Sequence, residues 1–198
     1  MPRYLQPNDV HPRFRGPALR GKLPTRHLYT VPDEKGEWYA ALRSMFATPP
    51  GALMLLLGKR GTGKTQLGVE YAKRLIQQTV RRDGEAELPV YYTAAASLFS
   101  LLRASGDDPR TPSEVTTMRM VQSVPLLIID EIQERKNSDW EDRTLVNIVD
   151  ARYGAMLTTI LIGNITIENA ERSLGASIVD RAVECGAVLD CQWDSYRG

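Results

Sequence analysis

Leu53, Met54, Leu55, Leu56 and Leu57 run without a break into Gly58, and the spacing Gly58, Gly63, Lys64, Thr65 then fits G-x-x-x-x-G-K-[ST]. The apolar run predicts a buried strand, and the glycines predict a turn tight enough for backbone N–H groups to close around a phosphate. A helix beginning at Lys64 would add its positive dipole end to the same spot. In such a cradle Lys64 reaches the β- and γ-phosphates and Thr65 holds Mg2+. Glycines and a lysine also meet in ordinary loops. What favours the cradle is its context, a strand before it and an amphipathic helix after it.

The 198 residues suffice for one well-buried domain, and 42% hydrophobic with 25% charged residues describes an ordinary globular composition. A formal net charge of +1 gives no bulk-charge argument for nucleic acid. Cys185 and Cys191 lack metal-ligand spacing, and no apolar stretch is long enough for a signal peptide or a membrane span. Reduced thiols, a cytoplasmic location and no membrane partner are the expectations.

Pro2, Pro7, Pro12, Pro17, Pro24 and Pro32 all fall in residues 1–35, where basic side chains outnumber acidic ones. Proline removes backbone donors and biases its predecessor away from helix, so this segment reads as a basic arm, either solvated or used for docking. Residues 36–198 read as the domain. Helical spacing of Trp38, Ala41, Leu42 and Met45 predicts a helix over 37–46, and Leu67, Tyr71, Ala72, Leu75, Ile76 and Val80 give the cradle helix its core face. Strands are expected at 88–93, 124–129, 157–162 and 187–191. Helices are expected at 94–105 with Leu98, Leu101 and Leu102 inward, at 112–122 capped by Thr111, at 139–153 with Leu145, Ile148, Val149 and Tyr153 inward, at 166–174 and at 177–185. Strands alternating with helices specify an α/β fold with a parallel sheet, whose ligands bind at the carboxyl ends of the strands.

At one such end Asp130 follows an apolar strand, the setting of a carboxylate that holds Mg2+ beside the cradle hydroxyl. Glu131, directly after it, is placed to orient and polarise an attacking water. Asn164 lies just past the next strand, where its amide would meet the water or the γ-phosphate. Arg181 would neutralise charge on a transferring phosphoryl group, or else simply pair with Asp180 or Glu184.

Taken in order, residues 58–65, 126–131 and 160–164, then Val179, Asp180 and Arg181, and finally Trp193, Asp194, Ser195, Tyr196 and Arg197 resemble the AAA+ ATPases of the DnaC-like helicase loaders, relatives of the IstB-like transposition helper ATPases. The resemblance covers residues 36–198 and implies a three-layer P-loop NTPase core with a parallel five-stranded sheet in the order 5-1-4-3-2, without a substantial C-terminal lid. It implies ATP and Mg2+ as cofactors. Gly58, Lys59, Arg60, Gly61, Thr62, Gly63, Lys64, Thr65 and Gln66 form Walker A and hold the nucleotide, with Thr65 and Asp130 on the metal. Lys64, Glu131, Asn164 as sensor 1 and Arg181 as arginine finger take part in catalysis. The finger acts on ATP bound by a neighbouring subunit, which implies a homo-oligomer through the ATP site. Single-stranded DNA would meet residues 95–122, where Arg103, Arg110 and Arg119 lie, and a replicative helicase would be the protein partner. Family members carry a folded domain before the ATPase core that grips the helicase; here only the proline-rich arm precedes residue 36. The alternatives are a transposition helper and a nucleotide-gated adaptor with negligible turnover.

Overall fold

In the computed structural model, which describes residues 3–4, 23–24, 30–31, 36–83, 90–104, 113–136 and 138–196, the run Leu53–Gly58 is buried along its whole length and forms the strand β1. Strands β2 (Val90–Ala94), β3 (Leu126–Asp130), β4 (Thr158–Gly163) and β5 (Ala187–Cys191) complete a sheet in the order β2-β3-β4-β1-β5. All four pairings are parallel, and Leu55 pairs with Leu161 on one side and Val188 on the other. This is the order 5-1-4-3-2 that the resemblance implied. Arg3–Tyr4 and Thr30–Val31 form a separate short antiparallel pair.

Strand side chains alternate between faces, and each face has its own helical cover. Met54, Leu56, Ile128, Ile160 and Ile162 pack with α1 (Gly36–Ala47) and α2 (Lys64–Asp83), and Leu23 joins this cluster. Leu55, Leu57, Leu127, Ile129 and Leu161 face the other way, against α3 (Ala95–Ala104), α5 (Asp139–Gly154) and α7 (Ala176–Cys185). The short helices α4 (Glu114–Ser123) and α6 (Ala170–Leu174) complete the layers. Apart from residues 3–4, 23–24 and 30–31, the expected arm lies outside the described residues. No helix among the described residues is long and apolar enough to cross a membrane.

Helix starts are where local chemistry shifts the expected boundaries. Ser113, whose side chain accepts from the Thr116 N–H, caps α4; Thr111 and Pro112 lie outside the described residues. The 166–174 segment divides into a 3-10 turn, Ile167–Asn169, and α6. Ser138 caps α5 with Glu141 three residues on, a Ser-x-x-Glu pattern.

The inward face of α5 needs one correction. Tyr153 is exposed, and the residue that continues the stripe of Leu145, Ile148 and Val149 is Arg152, with 0% exposure. Arg152 stands three residues from Val149 and four from Ile148, so helical geometry points it inward as well. Its charge is tolerated because the guanidinium donates to the carbonyls of Val121 (2.8 Å), Val124 (2.7 Å) and Thr158 (2.6 Å) and to Thr159 Oγ1 (2.8 Å). Burial pulls its pKa down to about 10, which still leaves it charged at neutral pH. Arg152 thereby ties α4, α5 and the start of β4 together. Arg152→Ala is expected to destabilise the fold by about 3 kcal/mol or more, since it leaves a cavity and several buried carbonyls without donors. Arg152→Lys restores little of this, because a single ammonium cannot replace the fork. Denaturant unfolding midpoints check both.

Candidate nucleotide site

The loop 59–63 joins β1 to α2 and closes on itself. Lys64, 5% exposed, turns back to donate from Nζ to the carbonyls of Gly58 (3.0 Å) and Lys59 and to Thr62 Oγ1 (3.4 Å), while Thr62 Oγ1 donates to Lys59 O (3.0 Å). Gly58 has φ +135, and a Cβ there would collide with the Cys191 carbonyl of β5, so glycine is required where the strand leaves the sheet. Lys59 and Arg60 are exposed. Arg60 reaches Glu134 across 3.4 Å, a solvated pair of small energetic consequence. Gln66 is buried, and its amide donates to Glu70 Oε1 (2.7 Å), which also receives Lys73 (2.7 Å).

The pairing of β1 with β4 and of β4 with β3 brings Asp130 to the cradle. Thr65 Oγ1 donates to Asp130 Oδ2 (2.7 Å) across 65 residues of sequence. The same Oδ2 accepts from the Tyr92 hydroxyl (2.7 Å), and Oδ1 accepts from the Glu131 N–H (2.7 Å). Burial and the Asp130 carboxylate push the Tyr92 phenol well above its ordinary range, so it stays a donor at any physiological pH. Glu131 is exposed and lies in the left-handed region at φ 54, an uncommon conformation for a non-glycine residue. Hard oxygens on Thr65 and Asp130 suit Mg2+, which keeps most of its shell as water and phosphate. Among the described residues no group of three or more His, Cys, Asp or Glu side chains converges, so such an ion would take its other ligands from nucleotide and solvent.

Gly163 of β4 pairs with Leu57, which sets Asn164 level with Gly58 at the carboxyl edge of the sheet. Its N–H donates to Gln133 Oε1 (2.8 Å), so Gln133 links the exits of β3 and β4. Arg181 is engaged elsewhere. Its Nη1 lies 2.9 Å from Asp150 Oδ1 and also donates to the carbonyl and hydroxyl of Ser177, and its guanidinium stands over the Tyr153 ring at 5.4 Å. The ion-pair partner is therefore on α5, because α7 packs there and presents Arg181 to it, and is neither Asp180 nor Glu184. Asp150 and Tyr153 lie toward the end of α5 that leads into β4, away from the carboxyl edge that carries the cradle.

Of the arginines proposed for DNA, Arg103 is committed to the fold: it donates to Ser138 Oγ (3.1 Å), pairs with buried Glu141 (3.2 Å) and covers the Trp140 ring at 4.9 Å. Arg119 is exposed on α4, and Arg110 lies outside the described residues. Cys185 and Cys191 are both free thiols, and burial pushes Cys191 up to about 12.

Sequence reasoning passed over Tyr92 and the tryptophans around the loop. Trp38 Nε1 donates to Gly63 O (3.1 Å), Trp193 Nε1 to Thr62 O (2.8 Å) and the Tyr196 N–H to Gly61 O (3.0 Å). Trp38 reads as one more core residue of an amphipathic helix, and Trp193 carries only a resemblance; neither signals a hydrogen bond to the loop.

A model of the family described as IstB-like ATP binding protein matches residues 36–198. The chain belongs to this family. Among curated proteins, this IstB-like chain is 31% identical over 141 residues to the uncharacterized protein YdaV of Escherichia coli K12, a match covering 71% of this chain and 53% of YdaV. It is 29% identical over 148 residues to the replicative helicase loader DnaC of the same organism, covering 74% of this chain and 56% of DnaC. The chain thus spans about half the length of the curated relatives it matches. A crystal structure of the DnaC helicase loader superposes with a TM-score of 0.56 at 21% identity, over 76% of this chain and 86% of that one. The shared fold is the P-loop AAA+ core.

Proposed function

We propose that this IstB-like protein binds ATP with Mg2+ at residues 58–66 and hydrolyses it, using hydrolysis as a switch in a helicase-loader-like role in DNA replication. The observation that carries this reading is the 2.7 Å contact of Thr65 with Asp130, with Glu131 next in sequence. Thr65 and Asp130 would hold the ion, which would neutralise charge on the β- and γ-phosphate oxygens. Lys64 meets the same oxygens, Glu131 accepts the proton of the attacking water, and Asn164 orients that water from the neighbouring strand. Arg181 of an adjacent subunit completes the site. The likeness to a replicative helicase loader supports a replicative helicase as partner; contact with single-stranded DNA and a cytoplasmic location complete the reading.

Phosphate release by the purified protein, with and without single-stranded DNA, tests the proposal; release at the level of a protein-free blank in both would contradict it. For the DNA contact, affinity should fall with salt by about 0.7 log units per log unit for each phosphate met. Arg119→Ala should flatten that slope by about one contact, whereas Arg103→Ala should chiefly lower stability by stranding Glu141. A slope unchanged in Arg119→Ala returns that arginine to ordinary surface charge.

A further inference from the structure

Three consecutive carbonyls of the cradle loop each receive a donor from outside it: Gly61 O from the Tyr196 N–H, Thr62 O from Trp193 Nε1 and Gly63 O from Trp38 Nε1. No peptide bond among the described residues is cis, and in a planar trans peptide the carbonyl of one residue and the N–H of the next point in opposite directions. Fixing these carbonyls outward therefore fixes the N–H groups of Thr62, Gly63 and Lys64 on the opposite side of the loop. Those are the amides a phosphate would meet in a cradle of this type.

The donors are themselves held firmly. Trp38 is buried on the core face of α1, and Trp193 packs half-buried against the same cluster. The segment 193–196 lies so close over the loop that a Cβ on Gly61, at φ +84, would run into the Ser195 hydroxyl. A glycine-rich loop has high conformational entropy, and a brace that removes it before binding lowers the ordering cost of binding.

We propose that Trp38 and Trp193 are positioning residues for the phosphate cradle: their indole N–H groups hold the loop's peptide planes so that its amides face the β-phosphate of the nucleotide. The inference rests on the nucleotide-binding reading above. It makes the segment after β5 a part of the binding machinery, acting through the loop and not by touching the nucleotide.

The test measures calorimetric affinity for Mg-ATP, Mg-ADP and inorganic pyrophosphate in the full chain and in Trp193→Phe, Trp38→Phe and the double variant. Each single variant keeps an aromatic ring and loses one donor, so each should bind all three ligands about three- to tenfold more weakly, with losses that multiply in the double variant. A purely structural role would lower the unfolding midpoint and leave the affinities of the folded protein where they were. If a phenylalanine variant fails to fold, benzothienylalanine can replace tryptophan biosynthetically in a Trp140→Phe chain. It keeps the indole shape and removes only the N–H at positions 38 and 193, and the same loss of affinity is expected. Parental affinity in these proteins, with the unmodified chain binding Mg-ATP, overturns the brace and leaves the nucleotide reading intact. An unmodified chain that binds none of the three ligands overturns the nucleotide reading itself.

Discussion

Glu131→Gln is expected to retain ATP binding and to lower phosphate release by roughly 10²- to 10⁴-fold, the range of a lost general base. The substitution is nearly isosteric. It leaves Thr65 on Asp130 Oδ2 and the residue-131 N–H on Asp130 Oδ1, so the geometry that would hold the ion is untouched. Glutamine tolerates the left-handed backbone at this position no worse than glutamate, and the side chain is exposed, so stability should not change appreciably. What is removed is the carboxylate proposed to accept a proton from water. Binding by calorimetry and turnover by phosphate release should therefore separate in this variant. A parallel loss of both would mean that Glu131 organises the site and is not its base.

Arg181→Ala is expected to bind ATP and hydrolyse it on the order of 10³-fold or more slowly, as for an arginine finger. Its present contacts make the experiment clean. The pair with Asp150 is partly exposed on both sides, 25% and 44%, so its loss should change stability by no more than about 1 kcal/mol. To act in a neighbour's site the guanidinium must leave Asp150 and the Tyr153 ring, a rearrangement within reach of solvated partners. Mixing Arg181→Ala with Glu131→Gln should restore part of the activity, because some interfaces will pair an intact Arg181 with an intact Glu131. A mixture that stays inactive while mixed oligomers demonstrably form, or parental turnover in Arg181→Ala alone, assigns Arg181 to the α5 contact only.

The features legible in the sequence are those that repeat or have fixed spacing. The leucine run and glycine spacing located β1, the cradle and the start of α2, and the apolar run before Asp130 located β3. What was not legible depends on pairs distant in sequence. The Tyr92 hydroxyl meets Asp130 only because β2 lies beside β3, and a strand tyrosine gives no sign of which carboxylate it will reach. Arg152 sat on the correct helical stripe, but a cation was not expected inside; its acceptors come from α4 and β4, which sequence spacing along α5 does not reveal. For Arg181 the alternative to a finger role was a pair with Asp180 or Glu184 on its own helix, whereas packing of α7 on α5 supplied Asp150 instead.

Titration of Mg-ATP into the purified protein, parental and Lys64→Ala side by side, tests the central claim most directly. Lys64 is folded inside the loop onto the carbonyls of Gly58 and Lys59, where the phosphates are proposed to bind. Saturable binding by the parental protein and none detectable in Lys64→Ala is the expected result. Equal binding by the two, or none by the parental protein, would contradict the assignment of residues 58–66 as the nucleotide site.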